Sequence, residues 1–402
     1  MSDIFALHMS YMAEREKYLA EQGIKIFRLS TTERQEFKEC RRRWDFASLS
    51  RQGIEPNRPA VALWFGTGIH HALEMLYQRR AEFGADPAYF GEMSDYDYVQ
   101  KTWLDWYDAE LKRLEESQTV LWDEQKQALE ETRDLGQKML ANYEAWSSVA
   151  DYKDSTGFKR VLYTEREFAV IIPDETGKPY HFTDGSGQVW EMWLVGRLDM
   201  VVEDFDGRIW VLDHKTSKDR LDEEILILDD QMTLYLWAAQ QILQKPIEGC
   251  YYNVLRKKLP VVPQVLASGK GLSKAKSIDT TYEVYLQAIE ENGFDPADYE
   301  DILDHLANKK TGFFERVKVR RNQHDLAMAG RMLLLEAIDM LNDPYIYTNP
   351  TWDCKWKCDY KDLCLAMNRN DDVAYLKDTM FRKRAPEEGS VYNREHTNGG
   401  DE

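Results

Sequence analysis

The chain has 402 residues, room for one large domain or two to three ordinary ones. Its 43% hydrophobic and 12% aromatic content supports a packed core, and no apolar run approaches the ~20 residues of a bilayer-spanning helix. A formal net charge of −19 excludes a protein that coats nucleic acid through its overall charge, because affinity for phosphates rests on Lys and Arg. An enzyme acting on DNA stays compatible if it keeps a local basic track. Four basic clusters offer one: Lys38 to Arg43, Arg256 to Lys258, Lys270 to Lys276 and Arg316 to Arg321. Solvated surface charge is the plainer reading for about half of them.

The first residues show no basic stretch followed by an apolar run, so no secretory leader and a cytoplasmic location are expected. Residues 1–29 read as a polar helical leader. Residues 30–50 begin with a Ser/Thr cap signal and continue as helix. Within 58–80, a Gly66-Thr67-Gly68 turn precedes Ile69, Leu73 and Leu76 at helical spacing. Residues 93–149 carry helical periodicity and read as two inserted helices. Strands are predicted over 161–172, 191–203 and 208–215, the last two joined by the turn signal Asp204 to Gly207. A helix over 229–244, stopped before Pro246, and a strand over 248–257 complete the order. The pattern is α/β, a mixed sheet flanked by helices in the order α-β-β-β-α-β.

A Gly-, Ser- and Lys-rich loop covers 260–280, with helix over 281–309, strand over 312–321 and helix over 323–342 beyond it. Residues 345–364 form a Cys- and Trp-rich segment, and the polar tail from Arg382 reads as disordered. The expected division is an N-terminal helical segment over 1–60 and a core over 61–257 with its helical insertion at about 75–150. A helical, cluster-bearing region over 258–365 and a tail over 366–402 follow.

Asp213 and Lys215 lie two apart on one strand and therefore project together, because strand side chains alternate faces. A hairpin partner can bring Asp199 beside them. Two convergent carboxylates suit Mg²⁺ or Mn²⁺, and a bound ion lowers the pKa of a water and polarises a phosphoryl oxygen. Lys215, kept protonated by its carboxylate neighbours, suits charge stabilisation. Gln231 and Tyr235 share a helix face and suit a phosphate or base; a surface Gln and a core Tyr is the bland alternative. His70, at a helix start with Glu74 one turn on, is a further ligand candidate, and His71 points elsewhere.

The order Gly66-Thr67-Gly68-Ile69-His70, Gly196-Arg197-Leu198-Asp199, Asp213-His214-Lys215 and Gln231-Met232-Thr233-Leu234-Tyr235 resembles the RecB-like branch of the PD-(D/E)XK nucleases. The resemblance implies a restriction-endonuclease-like core, metal binding by His70, Asp199, Asp213 and the carbonyl of His214, catalysis by Lys215, and guidance of DNA by Gln231 and Tyr235. It covers about residues 30 to 365, with a softer likeness to phage-encoded members around Gly271 to Ser277. With no helicase half and no Walker A motif, a stand-alone exonuclease is expected.

Cys354-x₃-Cys358-x₅-Cys364 and the distant Cys40 make four thiolates, which match a [4Fe–4S] cluster; a four-Cys zinc site is the alternative. The resemblance implies the same grouping of one N-terminal and three C-terminal cysteines, although the first C-terminal gap is one residue longer here. Trp352 and Trp356 are expected to shield such a cluster, and Cys250 to be simply buried. The inserted helices and the cluster region are expected to form a channel for single-stranded DNA. A DNA-binding adaptor of a recombination or spacer-acquisition complex, with recombination proteins as partners, is the rival reading. An acidic scaffold with a zinc clasp is a third. The sequence reports neither polarity nor oligomeric state.

Overall fold

Asp3 caps the first helix by accepting the Ala6 N–H, and Gly23, at φ +66°, turns the chain out of it. The computed structural model describes residues 3–57, 60–83, 93–116, 121–153, 157–219, 221–308, 313–342 and 345–384. In chain order these are α1 (Ile4–Glu21), β1 (Lys25–Ser30), α2 (Thr31–Glu39), α3 (Arg41–Ala47), β2 (Ile54–Pro56), α4 (Val61–Phe83), α5 (Asp95–Glu116) and α6 (Asp123–Ala150). The sheet region follows with β3 (Arg160–Ile171), β4 (His181–Thr183), β5 (Val189–Glu203), β6 (Ile209–Ser217), α7 (Glu223–Leu228), α8 (Asp230–Leu243) and β7 (Ile247–Arg256). Last come α9 (Tyr282–Glu291), α10 (Glu300–Asn308), β8 (Phe314–Arg320), α11 (Gln323–Leu341), α12 (Lys361–Arg369), α13 (Val373–Met380) and β9 (Phe381–Lys383).

The main sheet runs β1-β5-β6-β7-β8, with β3 and β4 on the other edge of β5. β5 is long enough to hold two partners on one edge. β1 pairs parallel along Trp190 to Val195, and β6 pairs antiparallel along Met200 to Glu203. The expected leader is thus only partly helical: Lys25–Ser30 enters the sheet, where its Phe27 and Leu29 are buried. The tail also departs from expectation. α12 and α13 fold, and β9 pairs with β2, so order reaches past Arg382; residues 385–402 lie outside the described residues.

Each sheet face buries its own cluster. One gathers Phe168, Leu198, Leu234, Trp237, Tyr252 and Leu333 under α8 and α11. The other gathers Ile69, Leu73, Trp103, Tyr143, Trp210 and Tyr251 under α4, α5 and α6. Burial of each large side chain contributes roughly 1.5–3 kcal/mol.

The Gly66-Thr67-Gly68 segment is not a turn. α4 runs straight through it, so His70 sits inside a helix rather than at its start. The reason for Gly68 is packing: a Cβ there would come within 2.3 Å of Trp106 and 2.6 Å of Trp103. Gly136 on α6 serves the other side of Trp103, where a Cβ would lie 2.4 Å from the indole. Gly68→Ala would force these two helices apart.

Candidate active site

The site lies where the sheet divides. Between Val195, the last partner of β1, and Met200, the first partner of β6, β5 passes Gly196 to Asp199. Past Met200↔Leu212 the Asp199 carboxylate takes over from the backbone, accepting the His214 N–H at 2.7 Å. Gly196 is required there, because a Cβ would come within 2.4 Å of Phe168 and 3.2 Å of Tyr235. Topology therefore brings Asp199 to the mouth of the split.

From α4, His70 places Nδ1 3.3 Å from Asp199 Oδ2. Opposite Asp199, between the pairs Thr164↔Met200 and Arg166↔Leu198, stands Glu165 at φ +43°. A left-handed non-glycine residue within a strand costs about 1–3 kcal/mol and marks a position held for a purpose. Its carboxylate, Asp199 and His70 offer ligand atoms within 4.8 Å of one another, the one such group of His, Cys, Asp or Glu among the described residues. Sequence reasoning misses Glu165, because Glu165-Arg166-Glu167 looks like an exposed strand edge.

Charge within the site is strongly coupled. Burial works against a charged His70, but the Asp199 carboxylate outweighs it and raises the imidazole to about 9. Asp199 is buried too, yet the facing His70 holds it well below the usual carboxylate range. Burial, then the Asp199 and Glu74 charges, lift Glu165 to about 8. At neutral pH the trio therefore holds a proton on His70 and another on Glu165. Asp213 rises to about 6 through burial and Asp199, tempered by Lys215, whose Nζ lies 2.9 Å away. Lys215 loses solvation on burial but is raised overall by Asp213.

β6 presents alternate residues to opposite faces. Asp213, buried, and Lys215, half-buried, share one face, while the His214 ring enters the core between sheet and α4 on the other. There it stacks on Tyr77, with centroids 5.9 Å apart, and meets His70 edge-on at 5.8 Å. Arg316, which can only donate, gives its Nε–H to Asn253 Oδ1 at 3.1 Å. That fixes the Asn253 amide, whose Nδ2 faces His214 Nδ1 at 2.8 Å and Tyr143 Oη at 2.9 Å. His214 Nδ1 is consequently an acceptor, and burial lowers the ring to about 3, keeping it neutral. Arg316 also reaches Tyr77 Oη at 2.8 Å and Asp151 Oδ1 at 2.5 Å. One buried chain thus ties α4, α6, β7 and β8 to β6. Of the His214 atoms only the carbonyl is expected at a metal; its ring belongs to this network.

Gln231 and Tyr235 share the α8 face as expected. The Tyr235 ring packs edge-on to Phe168 at 5.5 Å and is buried, with its hydroxyl 3.4 Å from Thr31 Oγ1. Gln231 is half-buried at the start of α8, where Asp229 accepts its N–H.

The four cysteines form a second constellation. Cys40 separates α2 from α3 in extended conformation, and its side chain makes no capping bond. It lines one cavity of about 320 Å³ together with Cys354, Cys358 and Cys364. Thr351 N–H donates to Cys354 Sγ at 3.4 Å, and Arg42 reaches Cys364 Sγ at 3.8 Å. Burial pushes the Cys358 thiol up. Trp352 and Trp356 do not shield this cavity: they are 92% and 74% exposed. Cys250 is fully buried in β7, as expected.

Residues 28–365 match the family model of the PD-(D/E)XK nuclease superfamily. The chain belongs to that superfamily, and its mixed sheet flanked by helices is the restriction-endonuclease-like fold. Membership makes it a metal-dependent nuclease, with Mg²⁺ or Mn²⁺ the usual ions and DNA the usual substrate. No curated protein matches it. Among solved structures it is similar to one described as "Crystal structure of SSO0001", at 14% identity over 58% of this chain and 77% of that chain, with a TM-score of 0.24. No helix among the described residues is long and apolar enough to cross a membrane.

Proposed function

We propose that this chain is a RecB-like exonuclease that hydrolyses DNA from strand ends and carries a [4Fe–4S] cluster as a structural clasp. The observation that carries the reading is the His70–Glu165–Asp199 trio beside the Asp213–Lys215 pair at the split of the sheet. One imidazole nitrogen and hard carboxylate oxygens are a donor set that Mn²⁺ and Mg²⁺ accept. His70, Asp199, Asp213 and Glu165 would hold the ion, with the His214 carbonyl beside them. A bound ion supplies an acidified water and a polarised phosphoryl oxygen. Lys215 holds its ammonium against Asp213 and faces the charge that develops on the phosphoryl oxygens. Gln231, at the entrance of α8, orients the strand. Tyr235 acts from beneath, by fixing α8 against β5.

For the clasp, the supporting fact is the grouping of the thiols: Cys40, Cys354, Cys358 and Cys364 line one cavity. Four thiolates suit a [4Fe–4S] cluster, which would join Cys40 to the C-terminal segment. The test uses protein purified without oxygen, its iron content and visible spectrum, and labelled linear or closed-circular DNA with Mg²⁺ or Mn²⁺. Brown protein that degrades linear DNA, spares circles and stops on chelation is expected. Cleavage of circles at the same rate would overturn the exonuclease assignment, and zinc-bearing colourless protein would overturn the cluster.

A further inference from the structure

Basic residues around the active site fall into two sets. Most are already engaged: Arg197 by Glu167 at 2.9 Å, Arg256 and Lys258 by Asp279, Arg316 by Asp151, and Arg321 by the Leu226 and Ile227 carbonyls. The cluster Lys38 to Arg43 is likewise spent on Asp230, Glu36, Glu39, Glu336 and Asp339. Clusters that look like a phosphate track in the sequence are therefore largely internal scaffolding.

Lys218 and Lys257 are different. β6 and β7 run parallel, and their last registered pair is Ser217↔Arg256. The next residue on each strand is a lysine, so the two stand side by side at the lip of the sheet. The Lys257 N–H donates to the Ser217 carbonyl at 2.6 Å, and Arg256 Nε lies 3.4 Å from the Lys218 carbonyl, which fixes both backbones. Lys257 Nζ reaches α4, 3.3 Å from the Ala62 carbonyl and 5.4 Å from the Phe65 ring centroid. That is the helix that carries His70. No carboxylate among the described residues pairs with either ammonium. Burial, then repulsion from Lys218, pushes Lys257 below the usual lysine range. Two like charges held together repel, and an anion bound between them relieves that repulsion.

We propose that Lys218 and Lys257 form a phosphate subsite that grips the backbone of the nucleic-acid strand next to the scissile position. This rests on the nuclease reading and adds the place where the strand is held. Eight residues of α4, about 12 Å of helix, separate Ala62, which Lys257 touches, from His70, so the gripped phosphodiester lies near the one being cut rather than at it. Exposed Lys218 supplies reach, and half-buried Lys257, braced on Phe65, supplies direction.

The test measures binding of labelled single-stranded oligonucleotide to the whole protein in chelator across a range of salt, and cleavage kinetics with Mn²⁺. Each Lys→Gln change at these positions should lower the salt slope of log K by about 0.7, and the double variant by about 1.4. The double variant should raise KM about ten-fold, the worth of charge-assisted contacts, with kcat nearly constant. Lys257→Arg should restore the slope. Lys258→Gln, one residue away but paired with Asp279, should behave as wild type. Lys218→Gln is exposed and tests the idea even if the Lys257 variant folds poorly. A wild-type slope and KM in the double variant would sink the subsite. If wild-type protein binds DNA but fails to cut, the nuclease reading falls while the slopes still decide this one.

Discussion

The two constellations of this molecule are built in opposite ways. The carboxylate site is assembled by the sheet. His70, Glu165, Asp199 and Asp213 come from α4, β3, β5 and β6, and each is locked by buried neighbours before any ion arrives. Asp199 is bonded to the His214 backbone, and His214 is wedged by Asn253, Tyr77 and Arg316. The cysteine cavity is assembled by the chain ends. Cys40 sits at a break between two short helices, and its companions sit in and beside a 3-10 turn and α12. What holds the ends together protein-to-protein is local: a small core of Phe46, Ile54, Tyr360, Leu363 and Phe381, three registered pairs between β2 and β9, and side-chain links such as Lys377 to Gln52 and Arg382 to Glu55. A pre-organised site loses its chemistry when altered but keeps its shape; a site made by its occupant loses its shape.

The largest effect expected from this contrast is at Lys215. In the proposed mechanism the Lys215 ammonium faces the reacting phosphate, so Lys215→Ala should lower the cleavage rate by about 10³-fold or more. Its side chain is 30% exposed, so the melting temperature should stay near wild type and the cysteine-bound chromophore should be unchanged. Undiminished cleavage by this variant would remove the catalytic assignment altogether. Next comes Cys40→Ser, with the opposite signature. It should bleach the visible absorbance and loosen the C-terminal segment from residue 345 onward to limited proteolysis, since closing a loop that spans most of the chain is worth roughly 3–5 kcal/mol by analogy with a cross-link. Residual cleavage should persist in whatever fraction stays folded. A Cys40→Ser protein with full colour would break the comparison, because the distant thiol would then not belong to the site.

The carboxylate site is legible in the sequence to an uneven degree, and particular residues explain why. Asp199, Asp213 and Lys215 are readable because strand alternation and a hairpin turn dictate their meeting. His70 is found for the wrong local reason: Gly68, which looks like part of a turn, is a notch for Trp103 and Trp106, a contact between helices that no local pattern reveals. Glu165 is invisible because its left-handed backbone is imposed by the surrounding ladder, not by its own neighbours. β1 hides in the leader because an edge segment becomes a strand only when β5 offers it a partner. Arg316 counts as surface charge until the fold shows Asp151, far away in sequence, waiting in the core.

Glu165 gives a smaller, sharper test. Glu165→Gln should weaken Mn²⁺ binding by about 10–100-fold, the usual cost of disturbing groups around a metal ligand. It should leave the chromophore alone. Proton release adds a sign. In the ion-free protein Glu165 titrates at about 8 and His70 at about 9, so both carry protons at neutral pH. An ion must displace them, so affinity should climb as pH rises towards 9. Calorimetry in buffers of different ionisation enthalpy should count one proton fewer released by the E165Q variant at pH 7. Equal proton release by the two proteins would mean that Glu165 stays outside the coordination sphere.

The smallest effect separates the fifth cysteine from the other four. Cys250 lies in β7 with its thiol fully buried, directed at the Val319 carbonyl at 3.6 Å, and burial pushes it up to about 12. A thiol so far from its thiolate form is a poor metal ligand and a poor nucleophile. It therefore behaves as a small apolar side chain between β7 and β8. Cys250→Ala leaves a small cavity, costs about 1 kcal/mol and should lower the melting temperature by a few degrees. Iron content, colour and cleavage rate should all match wild type. That outcome makes the counting of ligands strict: four cysteines that change colour when removed, one that changes only stability. Loss of iron from the Cys250 variant would show instead that the cluster's stability depends on the nuclease sheet, and the two regions would have to be treated as one cooperative unit.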